Sequence, residues 1–416
     1  MHPQPTPHHG KPIALRRRGF LALATGAALV RGPRPLLAQP HVVRGWSGAA
    51  DARSMGVMPG TDADMAPALN AAIEGMAKGG GTLRIAPGEY RLGGTVWLDS
   101  GLTLEGPGAT LFADDRWQRN QQQIMVSRFA LLANRRADAT AITDRDIAVR
   151  GLGFAYRGFQ HGDAHAIALR RVDGVQVIEC RFRGGGNGTA LLACRHTLVA
   201  GSFADGTRNC AFDHWEGTSD GEVRDCRATL DIGYGILFTG QGTARDNHQT
   251  AARLTARANV IEGSGVGIWV CSLSEHSAVT DVVLDRNTVR GGARTTNGIG
   301  ATGAIHRIAI TANRISGVQG GNPLFSRADV WNRPTDVVIS GNTVQDSTPS
   351  ARGIALIQAL GDGVTVRGNR ASGGSYRSLV WVDGTGVELA DNHGDGLTSR
   401  FKYNAAAARA PRIADP

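Results

Sequence analysis

A short pattern of alternating apolar and polar positions recurs nine times between residues 176 and 396. Each copy has two apolar positions one residue apart, then two variable residues, a small polar residue and a further apolar position. Neighbouring copies are 22 to 33 residues apart, a period typical of solenoid proteins. The small polar position, called the anchor below, is occupied by Cys180, Ser202, Cys226, Asn259, Asn287, Asn313, Asn342, Asn369 and Asn392.

This pattern favours strands over helices. The apolar residues alternate, which is the period of a β-strand, and Gly, Asn, Asp and Ser interrupt each copy as turns require. We therefore predict an all-β fold, a parallel β-helix whose coils stack at the strand spacing of about 4.8 Å. In such a stack the six consecutive Asn anchors lie above one another and their amides form a hydrogen-bonded ladder.

The chain before the repeats has a different pattern. Apolar residues share one helical face between positions 62 and 78, Thr61 or Asp62 can cap the start, and three glycines at 79–81 end the pattern. We expect this helix to close the N-terminal end of the β-helix, since an open end exposes unpaired strand edges. The first strands are predicted at 82–85, 89–92, 95–98 and 102–105.

The first 38 residues predict an export signal. They contain six basic residues and no acid, and the sequence Arg17-Arg18-Gly19-Phe20-Leu21 precedes the apolar run 22–30. That run is too short to span a bilayer core of about 30 Å. The segment indicates a cleaved signal of the twin-arginine type, with an ordinary secretory signal as the alternative. We expect a periplasmic or secreted protein that is not held in a membrane after cleavage near Ala38.

Charge and cysteines exclude some classes of function. The formal charge is +9, but loss of the signal leaves 39 basic against 36 acidic residues, so the charge gives no case for nucleic acid. The cysteine count is five, and Cys180 and Cys226 stand two coils apart, beyond the reach of a disulfide. We expect buried free thiols. No zinc spacing is present, and we predict no metal site, although calcium remains a candidate cofactor.

The segment 56–111 resembles the opening of a known family. The resemblance rests on Gly56-Val57, Gly60-Thr61-Asp62, the Ala-rich helix, Pro87-Gly88-Glu89-Tyr90 and Leu104-Glu105-Gly106. These features are similar to the pectate-lyase-like superfamily, and most similar to its rhamnogalacturonase or epimerase-like pectate lyase branch. The resemblance implies a single-stranded right-handed parallel β-helix that lyses, hydrolyses or epimerises acidic glycans outside the cell.

The catalytic motifs of that family are mostly absent. Polygalacturonase-like members carry Asn-Thr-Asp, Asp-Asp, Gly-His-Gly and Arg-Ile-Lys, and calcium pectate lyases carry Arg-x-Pro-x-x-Arg. None of these motifs occurs in the repeats, and the one Asp-Asp pair of the chain, Asp114-Asp115, precedes them. No catalytic residue is therefore carried over from the family. The site has to be predicted from positions in the repeat.

Alignment of the strand that precedes each turn predicts two faces, because side chains alternate across a strand. The inward positions are Ile167, Leu191, Phe212, Ile236, Ile268, Ile299, Leu324, Ile354 and Leu379. The outward positions are Ala168, Leu192, Asp213, Leu237, Trp269, Gly300, Phe325, Ala355 and Val380. Aromatic rings stack on sugars and an arginine fork suits a carboxylate, so we predict polysaccharide contacts at Trp215, Tyr234, Trp269, Phe325 and Arg327.

The densest cluster of candidate catalytic groups is Asp213-His214-Trp215-Glu216. Hydrolysis commonly uses two carboxylates, which Asp213 can supply with Glu216 or with Asp231. Elimination needs a base, for which His214, His276 and Tyr234 are candidates, and a cation or Arg327 to neutralise the uronate. The alternative is that His214 fills the interior and that the acids are solvated turn residues.

We expect an exported monomer that binds a polysaccharide and cleaves or epimerises it, with a non-catalytic binding protein as the alternative. Convergence of Asp213, Glu216, Asp231 and His276 in the structure would favour the enzyme, and scatter would favour the binder. Weaker candidates are the loops at 161–165, 247–248 and 329–331. The predicted division is a signal at 1–38, an N-terminal loop and capping helix at 39–81, the β-helix at 82–396 and a tail at 397–416.

Overall fold

The computed structural model describes residues 48–76, 80–117, 129–158, 164–241, 249–348, 355–395, 399–403 and 412–414. All of them belong to one compact unit, Pro35–Pro416. The predicted signal, Ile354 and the candidate positions 161–163 and 247–248 lie outside the described residues.

Three parallel sheets form the described part of the chain, and each coil passes through them in the order S1, S2, S3. S1 contains the strands Val96–Leu98, Phe129–Asn134, Ala164–Arg170, Asn187–Leu192, Cys210–Trp215, Tyr234–Gly240, Val266–Ser272, Asn297–Thr302, Leu324–Arg327, Ala355–Leu360, Ser378–Asp383 and Ser399–Tyr403. S2 contains Ala49–Asp51, Gly81–Arg84, Leu102–Glu105, Asp144–Arg150, Val172–Ile178, Arg195–Ala200, Ser219–Arg224, Thr250–Arg257, Ala278–Asp285, Ile305–Thr311, Thr335–Ser340, Thr365–Arg367, Glu388–Ala390 and Arg412–Ala414. S3 contains Gly88–Arg91, Ala109–Ala113, Gly153–Tyr156, Arg181–Arg183, Phe203–Asp205, Arg227–Thr229, Val260–Glu262, Thr288–Arg290, Arg314–Ser316, Thr343–Gln345, Arg370–Ser372 and His393–Gly394.

Every strand pairs in parallel with the equivalent strand of the next coil, which confirms the parallel β-helix. The first predicted strands are also present, displaced by no more than one residue at either end. Two strands, Ser399–Tyr403 and Arg412–Ala414, continue S1 and S2 beyond position 396.

The predicted asparagine ladder is confirmed in the turn between S2 and S3. The amide Nδ2 of each Asn donates to Oδ1 of the Asn in the next coil, from Asn259 to Asn392, at 2.8 to 3.0 Å. The same Oδ1 also accepts the backbone N–H of the preceding anchor. The other N–H of each Nδ2 donates to a strand carbonyl of the preceding coil, as Asn287 does to Ala256. These bonds satisfy polar groups that are buried, which removes the cost of desolvating them.

A left-handed residue precedes each anchor and turns the chain from S2 into S3. The φ angles at this position lie between 52° and 63° in Glu179, Gly201, Asp225, Ala258, Arg286, Ala312, Gly341, Gly368 and Asp391. The conformation places the next side chain, the anchor, inside the coil.

The interior is one continuous apolar cluster, to which each described residue of the predicted inward set belongs. The five cysteines are free and buried, as predicted. One outward prediction is wrong, because Val380 joins the core together with Leu379. The S1 strands bend at this point, so two consecutive side chains point inward and the alternation of faces is interrupted.

The N-terminal helix is shorter than predicted and runs from Ala66 to Met76. Its cap is Asp64 rather than Thr61 or Asp62, because Oδ1 of Asp64 accepts the backbone N–H groups of Ala66 at 3.0 Å and Gly93 at 2.6 Å. Asp64 thus joins the start of the helix to the first coil. No helix in the described residues is long and apolar enough to cross a membrane.

The helix satisfies the edge of the first S1 strand. Oδ1 of Asn70 accepts the backbone N–H of Trp97 at 2.7 Å, and Nδ2 of Asn70 donates to the carbonyl of Thr95 at 3.0 Å. Leu69 and Ile73 are fully buried against the core. The helix therefore closes the N-terminal end of the solenoid, as the sequence predicted.

Candidate functional site

The outer face of S1 carries three rows of side chains that run along the solenoid axis, one residue per strand. Neighbouring positions in a row are about 4.8 Å apart, the spacing of paired strands. The central row contains Asp213, Leu237, Trp269, Gly300, Phe325, Gln358 and Trp381. The row beside S3 contains Cys210, Tyr234, Val266 and Asn297, and the row beside S2 contains Thr239, Cys271, Thr302 and Arg327.

Two aromatic side chains lie together in the middle of this face. The rings of Tyr234 and Trp269 stack with centroids 5.2 Å apart and an interplanar angle of 29°. Nε1 of Trp269 donates to Oγ1 of Thr302 at 3.1 Å, which fixes the orientation of the indole. Both rings are only partly buried, so they provide an aromatic surface that is already ordered.

Arg327 lies across the sheet beside this pair. Its guanidinium stacks over the ring of Phe325 at 4.2 Å from the ring centroid, and Nη2 donates to Oδ1 of Asn297 at 2.6 Å. Gly300 makes this arrangement possible, because a Cβ atom there would lie 2.4 Å from Cγ of Phe325. The group formed by Tyr234, Trp269, Asn297, Phe325 and Arg327 is called the Arg327 site below.

The charge of Arg327 has no opposite charge beside it within the described residues. It forms no salt bridge there, its Nε has no hydrogen-bond acceptor, and its Nη2 donates to the neutral amide of Asn297. Burial alone lowers the pKa of the Arg327 guanidinium. By contrast, Asp281 raises the pKa of Arg307 through two hydrogen bonds. Arg327 is thus a desolvated cation that lacks a carboxylate.

A short turn stands at the edge of the Arg327 site. Oδ1 of Asp329 accepts the backbone N–H groups of Trp331 at 2.7 Å and Asn332 at 2.6 Å, which fixes the turn. The turn leaves Val330 84% exposed and Trp331 56% exposed. These are large apolar side chains that the turn holds in solvent, in the loop 329–331 that the sequence marks as a weaker candidate.

Asp213 lies on the central row and is almost fully buried. Its Oδ2 accepts a hydrogen bond from Nδ2 of Asn187 at 3.0 Å, and Oδ1 of Asn187 accepts from Nδ2 of Asn209 at 2.9 Å. The backbone N–H of Asn187 donates to Nδ1 of His165 at 3.2 Å. Asp213 is therefore held in a fixed position by a chain of amides.

The other predicted catalytic residues do not join Asp213. Glu216 forms a 3.0 Å ion pair with Arg170 in the turn that leaves S1, and His276 pairs with Glu275 at 3.0 Å in a different turn. Asp231 is exposed in the turn that enters S1. Asp213 therefore lies on a strand of S1, whereas Glu216, Asp231 and His276 lie in three different turns.

His214 and Trp215 are both packed against other side chains of the protein. His214 points inward, is fully buried, contacts Oγ1 of Thr197 at 2.9 Å and packs edge-on against Phe238. Burial lowers the pKa of His214 to about 3, so the imidazole is neutral and away from the outer face. Trp215 is 9% exposed and packs on the outer face in a second apolar cluster, which contains Ala130, Ala133, Ala137, Ala168, Ala190 and Leu192.

The described residues offer little for a metal. They contain no group of three or more His, Cys, Asp or Glu side chains that could hold an ion. Calcium takes six to eight oxygen ligands, and the scattered acids of the outer face do not supply such a set. No chemical step is therefore derived through calcium.

Two contributors to this face were not predicted. Asn297 and Asn187 are the first residues of their S1 strands. They precede the bend, and the order of outward and inward side chains there is the reverse of that after the bend. The sequences Asn297-Gly298 and Asn187-Gly188 at equivalent strand starts are a signal that could have found them.

Comparisons with known proteins identify the fold. No family model matches the sequence, and no curated protein matches it. Solved structures do match over most of the chain. An exopolygalacturonase from Thermotoga maritima has 10% identity and a TM-score of 0.61, with 86% of this chain and 93% of the other covered.

Two further structures match to a similar extent. PfbA, a surface adhesin of Streptococcus pneumoniae, has 13% identity and a TM-score of 0.62, with 86% and 93% of the two chains covered. A tailspike of E. coli bacteriophage HK620, in complex with a pentasaccharide, has 13% identity and a TM-score of 0.66, with 88% and 78% covered. At these identities the likeness shows the fold alone, and it confirms the parallel β-helix that the resemblance implied.

Proposed function

We propose that the protein binds an acidic polysaccharide along the outer face of S1 and that Arg327 binds a carboxylate of that polymer. The observation that carries the proposal is the half-buried guanidinium of Arg327, which is desolvated and has no ion-pair partner among the described residues. Burying an unpaired charge is costly, and a carboxylate that forms two parallel hydrogen bonds to a guanidinium offsets that cost. Asn297 and Phe325 hold the fork in place before the ligand arrives.

The aromatic groups around Arg327 suit a sugar chain that runs along the solenoid axis. Trp269 and Trp381 lie two strands to either side of Phe325 in the central row, about 9.6 Å away in each direction. Each indole offers a flat apolar surface to the face of a pyranose ring. The exposed Trp331 stands at the side of the same track and can contact the sugar that Arg327 binds.

We favour a binding function over a catalytic one because the candidate acids do not lie together. A glycosidase needs two carboxylates on either side of one bond, and Glu216 and Asp231 stand at opposite ends of their strands. The matching structures include an enzyme and an adhesin, so the fold is compatible with both functions.

A second candidate is chemistry at Asp213. This carboxylate lies on the same row, four strands from Phe325, or about 19 Å along the axis, so a polymer that extends along the row from Arg327 passes over it. Asn187 fixes its orientation, which a catalytic carboxylate requires. Cleavage or epimerisation of the same acidic glycan is therefore the alternative.

The binding experiment is affinity electrophoresis of the chain from position 39 onward in gels that contain pectate, rhamnogalacturonan, alginate, hyaluronan or neutral glucans. Wild type should be retarded by at least one acidic polymer. Arg327→Ala should weaken that retardation at least tenfold, whereas Arg314→Ala, an exposed arginine on S3, should not. Equal retardation of wild type and Arg327→Ala, or retardation by neutral glucans alone, would refute the assignment of Arg327.

The same polymers distinguish the second candidate. Absorbance of unsaturated uronides together with new reducing ends indicates a lyase, reducing ends alone indicate a hydrolase, and loss of either signal in Asp213→Asn assigns the step to Asp213. Binding without either signal leaves epimerisation, which is checked by the sugar composition of the recovered polymer, or binding alone.

We also propose that the chain is exported through the twin-arginine pathway and acts as a monomer in the periplasm or outside the cell. The basis is the Arg17-Arg18 segment and the apolar run after it. Replacing Arg17-Arg18 with two lysines should retain the protein in the cytoplasm in cell fractionation. Gel filtration of the mature chain checks the monomer.

A further inference from the structure

A second groove lies on the opposite part of the coil from the outer face of S1. It runs along the turns between S2 and S3 across several coils, with a volume of about 950 Å³. Its floor contains no side chains at four positions, Gly108, Gly151, Gly153 and Gly201. The groove is open to solvent, and its direction follows the solenoid axis.

An aromatic ring stands between two arginines in this groove. The strand register places Arg181, Phe203 and Arg227 in one outward row of S3, on three successive coils, about 4.8 Å apart at each step. Both arginines are exposed, and neither forms a salt bridge within the described residues. Phe203 is half-buried, and no described ring or cation stacks on it, whereas the guanidinium of Arg157 lies 4.0 Å from the ring centroid of Phe112 on the same face.

The groove is lined by equal numbers of acidic and basic side chains. These are Glu179 and Asp225, and Arg181 and Arg227, so the lining carries no net formal charge. Asp225 also accepts a 2.8 Å hydrogen bond from Nη1 of Arg224. This composition differs from that of the Arg327 site, where a cation has no counter-charge beside it in the described residues.

Such a lining fits a neutral ligand that is rich in hydroxyl groups. Carboxylates and guanidinium groups are planar and offer pairs of acceptors or donors, which suit the vicinal hydroxyls of a sugar. A phenyl ring without a covering group suits the apolar face of a pyranose. A groove along the axis with a glycine floor leaves room for several linked sugars.

We propose that this groove, centred on Phe203, is a second carbohydrate site that binds a segment of a neutral polysaccharide. The proposal does not depend on the function of the Arg327 site. A protein with both sites can hold an acidic and a neutral polymer at the same time, or a mixed polymer at two points. Two linked contacts of this kind raise the apparent affinity well above that of either one.

The test is affinity electrophoresis of the chain from position 39 onward in gels with galactan, arabinan, xyloglucan, glucomannan or mixed-linkage glucan. At least one polymer should retard the wild type. Phe203→Ala and Arg181→Ala should each weaken that retardation at least threefold, and the double variant at least tenfold. Arg181→Ala changes only an exposed side chain, so its effect does not depend on whether Phe203→Ala folds normally.

Two controls make the outcome specific. Arg314 stands in the same outward row three coils beyond Arg227, outside the groove, so Arg314→Ala should behave as wild type. Arg327→Ala should also bind the neutral polymer normally. No retardation by any polymer of the panel, or equal retardation of wild type and the double variant, would overturn the proposal. Loss of neutral binding in Arg327→Ala would place that binding on S1 instead.

Discussion

The guanidinium of Arg327 rests on the ring of Phe325, 4.2 Å from its centroid, and the ring in turn occupies the space above Gly300 in the preceding strand. The three residues form a layered support that holds a positive charge on the outer face. A side chain at position 300 would therefore displace the ring of Phe325, and displacement of the ring would displace the guanidinium of Arg327.

We expect Gly300→Ala to weaken binding of the acidic polymer without touching Arg327. A Cβ atom there would lie 2.2 Å from the carbonyl oxygen of Phe325 and 2.4 Å from its Cγ, so ring and strand must shift. Overpacking of this kind costs about 1 to 3 kcal/mol of unfolding free energy. Urea unfolding and affinity electrophoresis measure the two effects.

The matched control is Gly75→Ala in the N-terminal helix, where a Cβ atom meets nothing within 4 Å. That change should leave binding unaltered and raise stability slightly, because Ala favours a helix over Gly by about 1 kcal/mol. Wild-type binding in Gly300→Ala would show that the position of the Phe325 ring does not control Arg327.

The asparagine ladder predicts a large cost for a single internal substitution. In Asn287→Ala, the backbone N–H and Nδ2 of Asn259 lose their shared acceptor, and the backbone N–H of Asn287 remains opposite Asn313. Unsatisfied buried polar groups cost about 1 to 3 kcal/mol each, so we expect a loss of about 3 kcal/mol in chemical unfolding. Thr288→Ala, one residue on and outside the ladder, should cost less than 1 kcal/mol.

His214 predicts a fall in stability on mild acidification. Burial lowers the pKa of His214 to about 3, while the unfolded chain binds the proton near 6.5. Below pH 6.5 the unfolded state therefore binds more protons, and the free energy of unfolding falls by up to about 1.4 kcal/mol per pH unit. His214→Gln should remove this slope between pH 6.5 and 4.5, and the exposed His393→Gln should keep it.

A different pH range reports on the ion pairs along S2. Hydrogen bonds from Arg307 lower the pKa of Asp281, and hydrogen bonds from Arg253 lower the pKa of Asp220. A lowered carboxyl pKa stabilises the fold above the ordinary value near 4, and this stabilisation is lost as the pH falls through the lowered value.

Asp281→Asn should therefore be less stable than wild type at pH 7, by no more than about 1 kcal/mol because the pair is partly exposed. The two proteins should converge near pH 2. Asp231→Asn serves as the control, because Asp231 is exposed and forms no ion pair within the described residues. A constant difference from pH 7 to pH 2 would contradict the assigned role of the pair.

The fold could be predicted because its main signal is local and repeated. Asn287 and Asn313 are 26 residues apart in the sequence, and because they occupy the same position in consecutive repeats, the pattern predicts that they stack. The length of the helix was harder to predict, since the choice of Asp64 over Asp62 as cap depends on Gly93, in a coil that begins later in the chain.

The site was only partly predictable, because it depends on register and burial. Strand alternation predicts Arg327 and Phe325, but it does not predict Asn297, because the bend in each S1 strand reverses the alternation at its start. Trp215 was correctly placed outward, yet the sequence gives no indication that alanines of earlier coils pack around it. The sequence is compatible with His214 as a base or as an interior residue, and its contact with Thr197 in the structure places it in the interior.

The regular stacking of the coils fixes the spacing of side chains along the outer face of S1. Trp269, Phe325 and Trp381 lie on every second strand of the central row, and the backbone hydrogen bonds between strands set the distance between them. A substitution can change the side chain at one of these positions, but the interval between positions stays the same. Only the gain or loss of a whole coil alters the interval, so polymers with a different repeat length are accommodated by changing the number of coils.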